Sequence, residues 1–482
     1  MKTTLYILLL ILATALHGQD EVVDIDSRRE LFVDHFMIEK LDGVELKIHE
    51  PRDAGKVLAF DKPWEGPFCG AVTIIKDDSV YRMYYSGRPS IVNVEHTTTT
   101  CYAESEDGIL WRKPDLGIHE VMGTYDNNVI FAGVGWYGNF SPFLDTREGI
   151  DPSMRYKALG GDLALVPSAS KDGIHWDFIQ EKPVFEYGHF DSQNVAFWSE
   201  EEQCYLCYFR DWIRVDGKKY RTVSRTTSKD FINWTDPVEM DFGDTPHEQI
   251  YTQQTHPYFR APHIYISLAA RLQEGKKVLT DEEAEALGVH PAQSNDCSDL
   301  VLMSSRGGNR YYRTFLESFI RPGMGKHNWT SRSNYPALNV VQTGSEEMSV
   351  YVRKDYTQVT AHVRRYTLRL DGFVSVHAPY KGGEMITRPF RFTGDTLRLN
   401  YATSAAGSLR VELQSPEGEA LEGFELENSV EIVGDELLKA VSWKCNPDLS
   451  TLSGQPVRLR FVMKDADLYS MKFEQSNHNC LL

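Results

Sequence analysis

The sequence predicts an all-β protein, a five-bladed β-propeller followed by a C-terminal β-sandwich, and three observations carry that prediction. A short phrase is written three times, as Ser105-Glu-Asp-Gly-Ile-Leu-Trp111, Ser170-Lys-Asp-Gly-Ile-His-Trp176 and Ser228-Lys-Asp-Phe-Ile-Asn-Trp234. Between the copies run aromatic, alternating stretches such as residues 80–85, 205–209 and 263–267, bounded by turn residues, while long amphipathic helical patterns are scarce. After about residue 385 the phrase no longer occurs, although the alternation continues.

The phrase is structural punctuation. Asp-Gly is a hairpin dipeptide: Gly supplies positive φ, and the Asp or the preceding Ser bonds nearby backbone N–H groups. The tryptophan that follows packs its ring between one blade and the next. Trp111, Trp176 and Trp234 recur roughly every 60 residues, and Lys326-His-Asn-Trp329 is a fainter echo. Propeller blades of four short strands usually repeat at about 40–50 residues and lengthen with loop insertions.

Blade one is expected from Gly70 to past Trp111, blade two from about Asn139 to Trp176, and blade three from Asp191 to Trp234. Blade four starts near Ile250 and carries a charged, Ala-rich, partly helical insertion at 273–296. Blade five holds residues 348–352 and 366–370, with 31–38 as the strand that closes the ring. The propeller is thus placed at 19–385 and the sandwich at 386–482, where runs such as 396–401, 408–413 and 457–462 alternate between Gly and Asp turns.

Lys2 followed by the apolar run 5–16 reads as a secretory signal peptide cut after Gly18, with a cut after Ala15 as the alternative. The mature chain is expected to be secreted or periplasmic. The run is too short for a comfortable membrane span, and no later segment reaches eighteen apolar residues, so no membrane partner is expected. A net charge of −18 opposes a nucleic-acid partner, which needs clustered Lys and Arg. The seven cysteines show no zinc-site or disulfide-framework spacing. Cys204 and Cys207 lie in a strand-like run without the helix N-terminus that a redox CxxC requires. No metal or cofactor is predicted, and the oligomeric state is open.

Five blades, an export signal, the Ser-Lys-Asp-Phe-Ile-Asn-Trp turn and a trailing sandwich resemble the five-bladed glycosidases, the superfamily of glycoside hydrolase families 32, 43 and 68. More loosely, the phrase resembles the Asp-box of the six-bladed sialidases. The resemblance implies a hydrolase acting on a terminal or internal sugar, with carboxylates at the mouth of the central funnel; the expected substrate is a plant or algal poly- or oligosaccharide. The family 32 signature Trp-Met-Asn-Asp-Pro-Asn-Gly and its Glu-Cys acid motif are absent. Arg210-Asp211 is similar to the family's Arg-Asp-Pro motif but follows a second strand, so that role is not carried across.

The first strand of each blade lines the axis, which makes the polar residues leading each inner strand the candidates. These are Glu65 in blade one, Asn139 and Asp145 in two, Asp191, Gln193 and Asn194 in three, residues 247–256 in four and 342–347 in five. Glycoside hydrolysis needs one protonated and one ionised carboxyl group, about 5 Å apart for retention or about 6.5–9.5 Å for inversion. Asp191 is the expected nucleophile or base and Glu248 the proton donor, with Glu347, Glu346 and Glu65 in reserve; adjacent glutamates on a strand face opposite ways. Asn194, Gln193, Tyr251, Gln254 and His256 are candidate hydroxyl binders. Arg210 and Arg271 suit the carboxylate or sulfate of an acidic sugar, or equally pair with acids between blades. Two rivals remain: a non-catalytic carbohydrate-binding propeller, and a lyase or dehydratase on uronic-acid sugars using His256 or Tyr251 with Arg271.

Overall fold

The computed structural model describes residues 22–89, 98–132, 139–161, 163–186, 188–445 and 447–476. The predicted signal peptide and Cys480 lie outside them. Five antiparallel sheets succeed one another along the chain and form the propeller. Blade one is Gly70–Asp77, Val80–Gly87, Thr99–Ser105 and Val129–Ala132. Blade two is Ser141–Leu144, Tyr156–Gly160, Val166–Ser170 and Trp176–Phe178. Blade three is Val195–Ser199, Cys204–Val215, Lys218–Ser228 and Val238–Glu239.

Blade four pairs two short inner strands, Gln249–Thr252 and Thr255–Tyr258, with Ala261–Gln273 and then Cys297–Ser305. Its insertion holds the helix Asp281–Ala286, started by a capping box of Thr280 and Glu283. Trp329 packs on Leu279, Ala284 and Val289 of that insertion, so the fainter echo is not a fourth copy of the turn.

Blade five begins with Tyr335–Pro336 and Val341–Gln342, continues through Glu347–Lys354 and His362–Arg369, and is closed by Arg52–Ala59. The expectation that 31–38 closes the ring is corrected. Arg29–Leu31 and Ile38–Asp42 pair instead with strands of the C-terminal sheet.

The three phrases join third to fourth strands on the outside of blades one to three. In each, the Ser hydroxyl accepts a backbone N–H three residues on, and the Asp carboxylate accepts two more; at the first copy these distances are 2.9 Å from Gly108 N and 2.7 and 2.8 Å from Ile109 and Leu110 N. Gly108 and Gly173 take φ of 73° and 77°, and Phe231 takes 69° at the same place despite its side chain. Trp111 meets Tyr351 of blade five edge-on at 6.0 Å, and Trp176 meets Tyr84 of blade one at 6.4 Å. The turns close each blade onto its predecessor.

The C-terminal sheet is built around two long strands, Thr396–Gln414 and Arg458–Glu474. Arg458–Glu474 pairs Gly383–Thr387 through its first half, and Val374–Ala378 and Arg29–Leu31 through its second. The change falls at Asp465, whose φ is 43°, where the ladder with Thr396–Gln414 slips. The two halves enclose one apolar core that includes Phe32, Tyr401, Trp443, Phe461 and Phe473. This sheet also takes in Glu45–Ile48, on the far side of Val374–Ala378. Chain from both sides of the propeller thus builds the sandwich, which the expected boundary at 385 does not anticipate.

Candidate functional site

Where the inner strands of the blades begin, the axis opens into a pocket of about 190 Å³ that takes residues from every blade. Blade one contributes Phe68, Ala71 and Val72, blade two Asn139, and blade three Asp191, Ser192 and Gln193. Tyr251, Thr252 and Gln254 come from blade four, and Arg332, Tyr335, Arg353 and Tyr356 from blade five, with Arg88 at the rim. A cleft of about 330 Å³ lies between blades three and four, lined by Glu239, His247, Glu248 and Arg313, but it draws on those two blades only.

Backbone strain gathers at the axial mouth. Ala71, Asn139, Gln254 and Arg332 all hold left-handed backbones, with φ of 50°, 52°, 43° and 61°. Such conformations cost about 1 kcal/mol or more each for residues with a Cβ and cluster at functional sites. The strand ladder slips at Ala71, between Gly70 and Thr73, and again just before Gln254, between Ile250 and Thr252.

The pocket floor is a chain of amides. Gln193 Nε2 donates to Val72 O at 3.2 Å and Thr73 Oγ1 at 2.9 Å, and its Oε1 accepts from Gln254 Nε2 at 2.5 Å. Gln254 also donates to Pro336 O at 2.9 Å, so four blades are tied together. His256 lies beneath, its Nδ1 on Gln254 O at 2.9 Å and its Nε2 accepting from Val340 N at 3.1 Å. Burial lowers its pKa to about 4, so the ring is neutral and both nitrogens are engaged. Asn194 donates to Phe190 O at 2.9 Å and steadies the turn that presents Asp191.

Among the described residues, Asp191 is the one carboxylate lining this pocket, with its side chain 61% exposed. Arg210 donates to it and also stands 5.1 Å from the ring centre of Tyr251. Opposite charge dominates elsewhere. Arg353 is buried, gives its Nη groups to Cys69 O at 3.1 Å and Arg332 O at 2.6 Å, and lies 4.8 and 4.2 Å from the ring centres of Tyr335 and Tyr356. It passes so close to Gly70 that a Cβ there would stand 2.3 Å from Nη1. Arg332 lies 5.2 Å from the centre of the Tyr251 ring. Neither Arg332 nor Arg353 has a carboxylate partner among the described residues. Burial, with the like charge of Arg332 adding to it, pulls the Arg353 pKa down, and burial pushes the Tyr335 hydroxyl well up. The hydroxyls of Ser192, Thr252 and Tyr335 and the Oε1 of Gln254 have no hydrogen-bond partner among the described residues.

The remaining expected acids are elsewhere. Glu65 is fully buried and accepts from Tyr85 Oη at 2.6 Å, Lys113 Nζ at 2.7 Å and Lys62 N at 2.9 Å. Glu248 lies in the cleft between blades three and four, held by Arg271 at 3.0 Å and by Arg313, while Arg271 also grips Asp299 at 2.6 Å. Arg271 therefore takes the pairing role, not the substrate role. Glu347 is bound by Arg365 and Arg52, and it lines an outer cleft with Glu346. Asp145 is buried against Lys157 and Tyr205.

Blade five explains its own error. Residues 342–347 form the turn after the inner strand, at the end away from the pocket, because Val341 pairs with Ser349 while Tyr335 pairs with Arg353. The lead is Ser331-Arg332-Ser333-Asn334-Tyr335, a polar run before the mostly apolar Ala337-Leu-Asn-Val-Val341, which is the signal used in the other blades. In blade four the bulge moves the pocket-facing positions from Glu248 to Tyr251, Thr252 and Gln254.

No family model matches this chain, and no curated protein does. Solved structures with some likeness include a protein described as a glycoside hydrolase, at a TM-score of 0.45 and 11% identity over 66% of this chain and 92% of that one. An N-acetylgalactosamine deacetylase from F. plautii gives 0.41 and 11% over 69% and 97%, and an α-L-arabinofuranosidase from Fusarium graminearum gives 0.40 and 12% over 67% and 99%. At this similarity the likeness carries no argument about chemistry, and the propeller fold of this chain rests on its own sheets.

Proposed function

We propose that this protein is an exported carbohydrate-active enzyme that cleaves a glycosidic bond in the axial pocket, with Asp191 as the acidic group at the reacting bond. The observation that carries the reading is Asp191 itself, an exposed carboxylate at the lead of an inner strand, in a pocket supplied by all five blades. Around it, unpartnered hydroxyls suit the hydroxyl groups of a sugar, and Phe68, Tyr251 and Tyr356 offer faces for its ring. A two-carboxylate mechanism would need a second acid within about 5–9.5 Å, and none of the described residues provides one in the pocket.

Asp191→Asn tests this on a panel of plant and algal glycans. Removing a group that transfers a proton or attacks the sugar is expected to lower turnover by about 10²-fold or more. Thermal unfolding is expected to fall only modestly, since Asp191 is 61% exposed and the asparagine amide oxygen can still accept from the buried Arg210. Unchanged turnover in Asp191→Asn would remove Asp191 from the chemistry. The ion pair with Arg210 favours a second reading, a propeller that binds a glycan without cutting it. Glycan binding with no cleavage product from any member of the panel would establish that reading instead. For export, the mature protein is expected to begin at Gln19 on N-terminal sequencing.

A further inference from the structure

We propose that Arg332 and Arg353, with the hydroxyl of Tyr335, form a subsite for the anionic group of the sugar, a uronate carboxylate or a sulfate ester. The proposal rests on the axial pocket being the site and names the class of ligand it takes.

Buried guanidinium groups are ordinarily neutralised by an acid, because an uncompensated buried charge is expensive. Elsewhere in this molecule that rule is followed: Arg271 meets Glu248 and Asp299, Arg306 meets Glu30 and Asp34, and Arg225 meets Glu202. Arg353 is buried as deeply, yet among the described residues it bonds only to two backbone carbonyls, and its Nε has no partner there. Arg332 is brought against it, since the Arg332 carbonyl accepts from Arg353 Nη2 at 2.6 Å. Two like charges thus lie together at the pocket wall, flanked by the rings of Tyr251, Tyr335 and Tyr356.

The local backbone points the same way. Arg332 sits at φ 61°, where glycine would be unstrained, so a long cation is carried at a position that disfavours any side chain. Gly70 leaves the space that Arg353 Nη1 occupies. Tyr335, 5.2 Å from Tyr251 in ring centres and under Arg353, adds a neutral O–H with no acceptor among the described residues. Two guanidinium forks and one hydroxyl match the planar carboxylate or the sulfate group, both of which accept several N–H and O–H bonds at once. The aromatic faces beside them place the ring of the sugar that carries the charge.

The test is calorimetric titration of the full mature chain with matched ligand pairs: galacturonic, glucuronic and mannuronic acids and 6-sulfated hexoses, each against its neutral hexose. At least one charged ligand is expected to bind about tenfold or more tightly than its neutral partner, with the advantage shrinking as salt is added. The uronate and sulfate arms decide which anion is used. Arg332→Met should erase the advantage of each charged ligand over its neutral partner. Tyr335→Phe, which keeps the ring packed, should reduce it severalfold, and serves if a variant of the deeply buried Arg353 does not fold. Equal affinity for charged and neutral sugars overturns the proposal, as does an Arg332→Met protein that keeps the preference or a site that takes inorganic sulfate with no gain from an attached sugar. Neutral glycans cleaved in an Asp191-dependent way without charged preference would sink this subsite alone. Failure to bind any sugar, with Asp191→Asn silent, would remove the axial site as well.

Discussion

The boundary between propeller and sandwich and the mouth of the axis both bury arginines, and they treat them in opposite ways. At the boundary, Arg306 bonds Glu30 at 2.7 Å and Asp34 at 3.1 Å, and His263 closes on Glu30 at 2.9 Å. Beside it Asp371 receives Arg29 and Arg260, both at 3.2 Å, and the hydroxyls of Tyr258 and Ser470 at 2.8 and 2.7 Å. Burial opposes the charge on Glu30, yet Arg306 and His263 bring its carboxyl down to about 2. At the axis, Arg332 and Arg353 have no such acid. A closed set of charges holds two bodies together, whereas an open set is poised to receive a charge from outside. The same residue type therefore marks a brace in one place and a site in the other.

The largest expected effect breaks the brace. Arg306→Met leaves Glu30 and Asp34 buried without their cation and should cost about 3–5 kcal/mol, read as a lower denaturant midpoint with the sandwich strands exchanging first.

Next is the pH dependence that His256 contributes at the pocket floor. Its folded pKa of about 4 lies below the unfolded value of about 6.5. Between those values the unfolded chain binds more protons, so this stability is complete above pH 6.5 and is lost as pH falls toward 4. The full loss is up to about 3 kcal/mol. His49, also near 4 through burial, acts in the same direction from the outer cleft of blade five. Denaturant unfolding at pH 7, 5.5 and 4.5 checks the slope, and His256→Gln should reduce it, leaving the part that His49 contributes.

A smaller effect belongs to the blade turns. Asp172→Ala removes the acceptor for Ile174 N and His175 N, both at 2.8 Å, and should lower stability by about 1 kcal/mol without touching sugar binding. The smallest sharpens the comparison directly. Because Arg332 neutralises no acid, Arg332→Met should change stability by less than about 1 kcal/mol, in contrast to the loss at Arg306. Equal losses at the two positions would erase the distinction between brace and site.

The repeated turn was legible because its chemistry is local: Ser, Asp, Gly and Trp within seven residues carry every bond of it. Blade order and the insertion helix follow from the same local signals. Long-range pairing was not legible. The apolar run at 31–38 suggests a strand, but nothing within it says that its neighbours join the C-terminal sheet, and 52–59, which closes blade five, carries no strand signal of its own. At the site, Asp191, Asn139, Gln193, Tyr251 and Gln254 were found as strand leads and do line the pocket. Arg332 and Arg353 escaped because blade five was entered one turn too late, and because Arg353 reaches the axis from the second strand, past Gly70. Glu65 and Glu248 looked catalytic since a polar lead reads the same whether its carboxylate is open or already bonded to Lys113 or Arg313.

A crystal structure of the full chain with a bound uronate oligosaccharide tests the central claim most directly. The account predicts the sugar carboxylate between the guanidinium groups of Arg332 and Arg353, within hydrogen-bond distance of Tyr335 Oη, and the adjoining glycosidic oxygen near Asp191. A sugar seated in the cleft between blades three and four, or one in the axial pocket with its carboxylate turned away from both arginines, would contradict it.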